Sequence, residues 1–260
     1  MKSNKVTAEL ISFGNELLIG KIVNTNASFL GKRLTEFGIH VTRITALPDE
    51  FEALSHGFLE AISRSPDLII STGGLGPTWD DRTAEGLSIA LKVPLRRDET
   101  ALKMIEERYE KLKVFLSPAS LKMADLPLGA KPLRNSVGTA PGICTLVPTP
   151  EKETRIYCLP GVPSEMKAIL EEVVLPDVVS SIKLEQFFQV EFSITGIGES
   201  KFAHVTGNLV KEFPDVYIKS HPSYPNINFH LTTFRDEKIL KLVKERLQKE
   251  ILSLGARIVP

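Results

Sequence analysis

Apolar runs alternate with amphipathic segments along the first part of the chain, a pattern typical of strands followed by helices. The apolar runs predict strands at Val6–Phe13, Ile39–Ala46 and Leu68–Ser71. The amphipathic segments predict helices at Asn24–Phe37, Glu50–Ser63 and Thr83–Leu91. Because strands and helices alternate with short connections, we expect an α/β fold with a mostly parallel sheet covered on both faces.

The alternation becomes less regular further along the chain. A loop or short turn is predicted at Asn15–Gly20, between the first strand and the first helix. The later predicted elements are a helix at Thr100–Lys113, strands at Gly142–Val147 and Thr154–Leu159 with a polar hairpin loop at Pro148–Glu153, and a helix at Ser164–Val174 that Pro163 introduces.

The pattern changes near Leu175 and Pro176, which predicts one domain at 1–176 and a second at 177–260. The second domain follows the order β-α-β-β-α-β, the split β-α-β plan of a small α+β domain. Its elements are predicted at Phe187–Ile194, Glu199–Glu212, Val216–Ser220, Asn226–Phe234, Glu237–Ser253 and Ala256–Val259.

Composition narrows the class of protein. The chain has 260 residues, and its 32 Lys+Arg balance its 32 Asp+Glu, so its charge makes nucleic acid an unlikely partner. No apolar run approaches the ~20 residues of a membrane span, and the N-terminus lacks the pattern of a signal peptide. We therefore expect a cytoplasmic protein with no membrane partner. Cys144 and Cys158 are expected to be buried thiols, with no zinc-ligand spacing around them.

A glycine-rich motif, Thr72-Gly73-Gly74-Leu75-Gly76-Pro77-Thr78, follows the third predicted strand and precedes a helix. Glycines in such a turn let backbone N–H groups converge on an anion such as phosphate. A plain tight turn is the alternative, although three glycines within four residues cost chain entropy without adding packing. The motif matches neither a dinucleotide-binding GxGxxG sequence nor a Walker A loop.

Asp80 and Asp81 lie at the start of the next helix, beside Thr78 and Thr83. One aspartate could cap the helix, whereas two beside a glycine turn indicate a divalent cation that bridges to phosphate. Thr83 is either a cap residue or a phosphate contact.

Polar loops elsewhere add candidate ligand residues. Glu16, next to Gly14, could hold a metal or bind a ribose hydroxyl, or it could be an exposed loop residue. Asn26 is either a ligand contact or, as an alternative to Asn24, the cap of the first predicted helix. Glu165 is either a ligand contact or a helix-dipole residue. Gly138 and Thr139 lie in the polar loop Asn135–Gly142, which is either a ligand loop or an ordinary turn. Gly161 lies in Leu159–Met166, where a strand end, a glycine turn and a helix start could form a second anion-binding turn opposite the first.

Taken together, these segments resemble the competence/damage-inducible protein CinA family, in its N-terminal molybdopterin-binding-like region. The matching motifs occur in the family order and cover nearly the whole chain. They are Gly14-Asn15-Glu16-Leu17-Leu18 with Gly20 and Asn26, the glycine motif with Asp80, Asp81 and Thr83, Gly138–Gly142, Leu159–Pro163 with Glu165 and Met166, and Gly196–Ser200.

The resemblance implies a three-layer α/β/α domain like those of MogA and MoaB, a KH-like or ferredoxin-like second domain, and a homodimer. It implies a small-molecule nucleotide or pterin ligand and metal-dependent cleavage of the pyrophosphate in ADP-ribose. Under that reading Asp80 and Asp81 hold Mg, Mn or Co, Glu16 is a second acidic group, and Gly73, Gly74 and Gly76 cradle phosphate. A binding module without catalysis is the alternative. Full-length bacterial members continue into a deamidase domain that this sequence lacks, so that activity is not expected.

Overall fold

The protein is described from a computed structural model that covers residues 5–149 and 151–259. The chain divides into two compact units, one formed by residues up to Thr35 and from Ile39 to Leu184, the other by Glu36–Gly38 and the residues from Glu185 onward. The ends of the predicted domains, residues 1–4 and 260, lie outside the described residues, as does Pro150 of the predicted hairpin loop.

The first unit is built on a six-stranded sheet with helices. Its strands are β1 (Thr7–Phe13), β2 (His40–Leu47), β3 (Leu68–Thr72), β4 (Leu95–Arg97), β5 (Asp125–Pro127), β6 (Lys131–Leu133), β7 (Gly142–Pro148) and β8 (Glu153–Leu159). Its helices are α1 (Asn15–Leu18), α2 (Thr25–Glu36), α3 (Phe51–Ser63), α4 (Thr83–Leu91), α5 (Glu99–Leu112), α6 (Pro163–Ile169) and α7 (Leu175–Ser181).

The strand order in the main sheet is β2-β1-β3-β8-β7-β6. The first four strands are parallel neighbours, whereas β7 pairs antiparallel with both β8 and β6. All five residues of β3 are buried, as expected for a strand covered on both faces. The mostly parallel α/β sheet predicted from the sequence is therefore confirmed.

Several short elements were not predicted. The strands β4 and β5 form a separate two-stranded ribbon, and β6 lies at the edge of the main sheet. Pro118–Ala124 forms a 3₁₀ helix. The segment after Phe13, predicted as a loop or short turn, contains the one-turn helix α1.

The helical segment that begins at Pro163 continues beyond the predicted end at Val174. A π-helical stretch at Leu170–Val174 joins α6 to α7, and Pro176 lies in the first turn of α7, where a proline needs no N–H partner. In α7 the Asp177 carboxylate accepts hydrogen bonds from Tyr157 and from Arg155 of β8. The first compact unit thus extends to Leu184, whereas the predicted boundary lies within this helical segment.

The second unit is an antiparallel sheet with two helices. Its elements are β9 (Phe188–Thr195), α8 (Glu199–Glu212), β10 (Val216–Ser223), β11 (Asn226–Thr233), α9 (Glu237–Ser253) and β12 (Arg257–Val259). The strand order is β10-β11-β9-β12. This order confirms the predicted split β-α-β plan and corresponds to the ferredoxin-like arrangement.

The two cysteines lie on neighbouring strands and are free thiols. Cys158 is buried and Cys144 is partly buried. Burial raises the pKa of Cys144 to about 11 and that of Cys158 to about 12. Both thiols are therefore protonated at neutral pH and poorly nucleophilic.

Candidate functional site

The carboxyl ends of β2, β1, β3 and β8 lie at one edge of the sheet, because these four strands are parallel neighbours. In open parallel sheets, ligands bind in crevices beyond that edge. Here the loops that follow these strands line a cleft of about 430 Å³. The cleft is the candidate functional site.

Most of the predicted site residues meet in this cleft. The loops after β1 and β3 contribute Gly14, Glu16, Gly73, Gly74, Gly76, Asp80 and Asp81. The facing loops contribute Thr139 and Gly161, and the first turn of α6 contributes Glu165. Asn26, Thr78, Thr83 and Gly138 are not among the residues that line it, and their contacts are described below.

The glycine turn needs glycine at two consecutive positions. Gly73 and Gly74 have φ values of 104° and 66°, in the left-handed region that favours glycine. A Cβ atom at Gly73 would also lie 2.5 Å from the carbonyl oxygen of Phe13. The close approach of β1 and the backbone twist together explain these two glycines.

The turn presents backbone donors to the cleft. The N–H of Gly73 donates to the carbonyl of Leu159 at 3.0 Å, so it is already used by the fold. Within the described residues, the N–H groups of Gly74, Leu75 and Gly76 have no hydrogen-bond acceptor. These three residues all line the cleft, which gives it a set of main-chain donors for an anion.

Thr83 anchors the turn from the buried side. Its side chain is fully buried, its hydroxyl donates to the carbonyl of Gly73 at 2.8 Å, and its N–H donates to the carbonyl of Gly74 at 3.0 Å. Of the two predicted roles, cap residue or phosphate contact, neither describes these bonds. The hydroxyl fixes the shape of the glycine turn.

Thr78 holds the two aspartates. Its N–H and its hydroxyl both donate to Asp81 Oδ2, at 2.9 Å and 2.6 Å, and the hydroxyl also contacts Asp80 Oδ1. A hydroxyl has one proton and cannot donate fully to two carboxylates. The hydrogen bond from Thr78 lowers the pKa of Asp80, so Asp80 is ionised at neutral pH.

Asp49 is a further carboxylate of the cleft, beside Glu16, Asp80 and Asp81, and it was not predicted. It follows β2, lines the cleft, and accepts a hydrogen bond from the N–H of Asn15 at 2.9 Å. Burial raises the pKa of the Asp49 carboxyl, and the hydrogen bond from Asn15 opposes that rise. The negative charges of Glu16, Asp80 and Asp81 raise it further. A signal did exist, because Asp49 follows a predicted parallel strand at the same sheet edge.

The opposite wall is organised by Asn135, which lies in the first candidate loop. Its Nδ2 donates to Glu165 Oε2 at 2.7 Å, and its Oδ1 accepts from the N–H of Gly138 at 2.8 Å. The Glu165 carboxylate packs so closely against Gly138 that a Cβ atom there would clash with it. Gly138 therefore makes room for Glu165, while Thr139 and Glu165 face the cleft.

Asn26 is tied to the same wall through the backbone. Its Nδ2 donates to the carbonyl oxygen of Gly161 at 2.7 Å. Asn26 lines a smaller pocket of about 100 Å³ that shares Phe13, Glu16 and Gly161 with the cleft. The helix α2 is capped by Asn24, whose Oδ1 accepts from the N–H of Ala27 at 3.0 Å, and not by Asn26.

The charge of the cleft is entirely negative. Its side-chain carboxylates are those of Glu16, Asp49, Asp80, Asp81 and Glu165, and no lysine or arginine is present among the described residues that line it. An anionic ligand would meet backbone donors on one side and carboxylates on the others. Such a ligand needs a cation to offset the repulsion.

The fold and this site define an α/β domain of the molybdopterin-binding type. A sequence model of the family described as "Probable molybdopterin binding domain" matches residues 9–179. Because the match covers more than half of the chain, the protein belongs to this family. Apart from Glu36–Gly38, the second compact unit lies beyond the matched residues.

Relatives that match nearly the whole chain show that the similarity extends beyond residues 9–179. A protein of Saccharolobus solfataricus is 42% identical over 254 residues, which is 94% of this chain and 90% of that protein. A protein of Sulfurisphaera tokodaii is 39% identical over 259 residues, or 96% of this chain and 95% of that protein.

Among solved structures, the protein is similar to CinA from Thermoplasma acidophilum, a protein described as having unknown function. The two share 41% sequence identity with a TM-score of 0.59, over 67% of this chain and 99% of that one. The similarity to the CinA family that the motifs indicated is thus confirmed. In the described ranges, none of the helices has both the length and the apolar character needed to cross a bilayer.

Proposed function

We propose that this protein is a metal-dependent hydrolase that cleaves the pyrophosphate bond of ADP-ribose or a related nucleotide diphosphate. The observation that carries the proposal is the juxtaposition of three unpartnered N–H groups, at Gly74, Leu75 and Gly76, with a wall of carboxylates in one cleft. Backbone donors suit phosphate oxygens, and carboxylates suit a hard divalent cation.

The donor set fits a cation that the ligand helps to hold. In the described part of the chain, no three His, Cys, Asp or Glu side chains are arranged so that they could hold a metal by themselves. Mg²⁺ in phosphate-binding sites commonly uses only one or two protein carboxylates, together with phosphate oxygens and water. Asp80 and Asp81 would supply the protein side, with Mg, Mn or Co as candidate ions.

The chemistry then depends mainly on positioning. A divalent cation in such a site offsets the diphosphate charge and lowers the pKa of a bound water. The N–H groups of the glycine turn would stabilise the negative charge that develops on phosphate. Glu16 and Asp49 are the remaining carboxylates on that side of the cleft and would orient the attacking water. Phosphoryl transfer needs little covalent chemistry from the protein, which agrees with a cleft without a strong nucleophile.

The test is a metal-by-substrate assay on the purified protein. With ADP-ribose and Mg, Mn or Co, we expect AMP and ribose 5-phosphate, and no products when a chelator removes the metal. The double substitution Asp80→Asn with Asp81→Asn should lower kcat/KM by about a hundredfold or more. Glu106→Gln removes an exposed charge on α5, outside the cleft, and should leave the rate unchanged.

Two results would contradict the proposal. One is a contaminant-free wild-type preparation that turns over no nucleotide diphosphate with any of the three metals. The other is a double variant that keeps the wild-type rate. Circular dichroism of the variants establishes that the fold is intact in either case.

A second candidate is a pterin- or nucleotide-binding module without catalysis, and the family description, which names molybdopterin binding, agrees with a pterin ligand. Calorimetry with and without metal separates the two. A module would bind the unaltered ligand tightly, and Asp81→Asn would weaken its affinity rather than abolish a rate.

Assembly and location are further parts of the proposal: the dimer comes from the family resemblance, and the location from the sequence pattern. We expect a cytoplasmic homodimer. Light scattering coupled to size-exclusion chromatography would give the mass directly, and a single species near the chain mass of 28.8 kDa would contradict the dimer.

A further inference from the structure

A side pocket opens beside the cleft, and its walls are mostly apolar. The two cavities share Phe13, Glu16 and Gly161, so a ligand in one can extend into the other. Leu17, Ile22 and Val23 form much of the remaining wall. Ile22 and Val23 leave 50% and 82% of their surface exposed, which is apolar area that a bound group could cover.

Among the polar residues that line this pocket (Glu16, Asn24, Thr25, Asn26 and Thr72), Asn26 carries a buried atom that lacks a hydrogen-bond partner in the described part of the chain. Because the Nδ2 of Asn26 donates to the carbonyl of Gly161, the orientation of the amide is fixed by that acceptor. The other atom, Oδ1, is then an acceptor, and it is buried without a hydrogen-bond partner in the described part of the chain. A buried acceptor without a donor is costly, so a ligand that supplied the donor would gain from it.

The shape and the chemistry of the pocket select a class of ligand. Apolar residues in the wall favour a flat ring, and the unpartnered acceptor of Asn26 favours a ring that carries an N–H donor. Gly161 connects the two cavities, since it lines both and its carbonyl holds the Asn26 amide.

We propose that the side pocket receives the heteroaromatic base of a ligand whose diphosphate lies in the cleft, and that an exocyclic amino group of that base donates to Asn26 Oδ1. The proposal rests on the proposed function for the position of the diphosphate. It adds Asn26 as the residue that selects the base, with Ile22 and Val23 as the apolar contacts of the ring.

Calorimetry in Mg²⁺ tests the amino–amide contact with three ligands. They are ADP, the purine riboside 5′-diphosphate that lacks the amino group, and inorganic pyrophosphate. In the wild type, loss of the amino group should weaken binding about tenfold. In Asn26→Ala, the two nucleotides should bind equally, because the acceptor is gone. Pyrophosphate affinity reports separately whether the variant disturbs Gly161.

A matched pair of surface variants tests the ring contact without altering Asn26. Val23→Asp puts a charge in the wall of the side pocket and should weaken ADP binding about tenfold or more, with pyrophosphate binding retained. Ile19→Asp changes a residue of the same loop that is 75% exposed and does not line the pocket, so it should bind ADP as the wild type does.

The outcomes separate this proposal from the proposed function. Equal wild-type affinity for ADP and pyrophosphate would overturn the base site and leave the diphosphate site standing. An amino-group effect that persists in Asn26→Ala would overturn the role of Asn26. Binding of nucleotides without binding of pyrophosphate would instead count against the diphosphate site. A wild-type protein that binds none of the three ligands would overturn both.

Discussion

At the scale of single residues, two threonines keep the glycine turn and its acidic neighbours in position. Thr83 donates from the buried side to the carbonyl of Gly73, and Thr78 holds Asp80 and Asp81 on the side of the cleft. Thr83 binds the carbonyls of Gly73 and Gly74 through its hydroxyl and its N–H. These two bonds fix the conformation in which the N–H groups of Gly74, Leu75 and Gly76 have no acceptor among the described residues.

Thr83→Val should destabilise the protein more than the small change in side-chain volume suggests. Valine keeps the shape of the side chain but leaves the Gly73 carbonyl without its partner in a fully buried environment. We expect a loss of about 1–3 kcal/mol in the free energy of unfolding, measured with urea, and weaker ligand binding at the turn.

Thr35→Val is the matched control for this prediction. The Thr35 hydroxyl also donates to a backbone carbonyl, that of Gly31, at 2.7 Å, but the residue is only partly buried and the bond lies within a helix. The loss of this hydrogen bond should lower the free energy of unfolding by about 0.5 kcal/mol or less. If the two variants lost the same free energy of unfolding, burial of the turn would not explain the destabilisation by Thr83→Val.

The predictability of the site differs from residue to residue. The glycines and Asp80 and Asp81 were predicted because local spacing along a strand–turn–helix segment determines them. Asp49 was missed because its role depends on the strand order, which places the end of β2 beside that of β1. Asn135 was missed for a related reason, since its partner Glu165 is thirty residues away in sequence.

At the scale of elements, an ion pair joins α2 to the π-helical stretch at Leu170–Val174. The Arg33 guanidinium donates to both oxygens of Glu171, at 2.6 Å and 2.9 Å. This hydrogen bond lowers the pKa of Glu171. Because both side chains remain partly exposed, at 27% and 39%, the pair is screened by solvent and contributes modestly.

The contribution of this pair should depend on pH in a defined direction. A carboxylate with a lowered pKa stabilises the fold above the ordinary glutamate pKa of about 4.3 and loses that contribution as the pH falls through the lowered value. Glu171→Gln should therefore cost about 0.5 kcal/mol at pH 7 and progressively less on acidification below pH 4.

A double-mutant cycle with Arg33→Met isolates the pair from the other contacts of both residues. The coupling energy, measured by urea unfolding, should decrease on acidification and on adding salt. A coupling energy that stays constant from pH 7 to pH 3 would contradict the electrostatic origin.

Element boundaries were predicted best where local periodicity determines them. The predicted bounds of α4, α8 and α9 are those found, and the start of α9 is marked by the capping side chain of Asp236. The three-residue strands β4, β5 and β6 were missed, since such short segments are strands only through their partners. The continuation into α7 was missed because Pro176 normally ends a helix, and the preceding π turn accommodates it.

At the scale of the whole molecule, each compact unit has its own hydrophobic cluster. The cluster of the first unit includes Phe13 and Phe58, and that of the second includes Phe202 and Phe229. The two clusters have no member in common. In the second unit the Phe229 ring stacks on that of Phe192, with 4.9 Å between the ring centroids. It is tilted against the Phe202 ring, with 5.2 Å between the centroids.

Phe229→Ala should destabilise the second unit selectively. The loss of a fully buried ring leaves a cavity and should cost about 3–5 kcal/mol. Hydrogen exchange should show faster exchange in the amides of β9 to β12 with little change in β1, β3 and β8. Phe58→Ala is the reciprocal variant and should have the opposite distribution. Uniformly faster exchange throughout the chain in both variants would show that the units unfold as one.

The main-chain nature of the glycine turn has a consequence for how this protein can diverge. An anion held there contacts backbone amides, which every residue except proline carries. Exchanges of side chains outside the residues that shape the turn, Gly73, Gly74 and Thr83, therefore leave these contacts in place. Selectivity resides instead in the side chains around it, which can drift independently. Descendants of such a protein can exchange one phosphorylated compound for another while inheriting the same anchor.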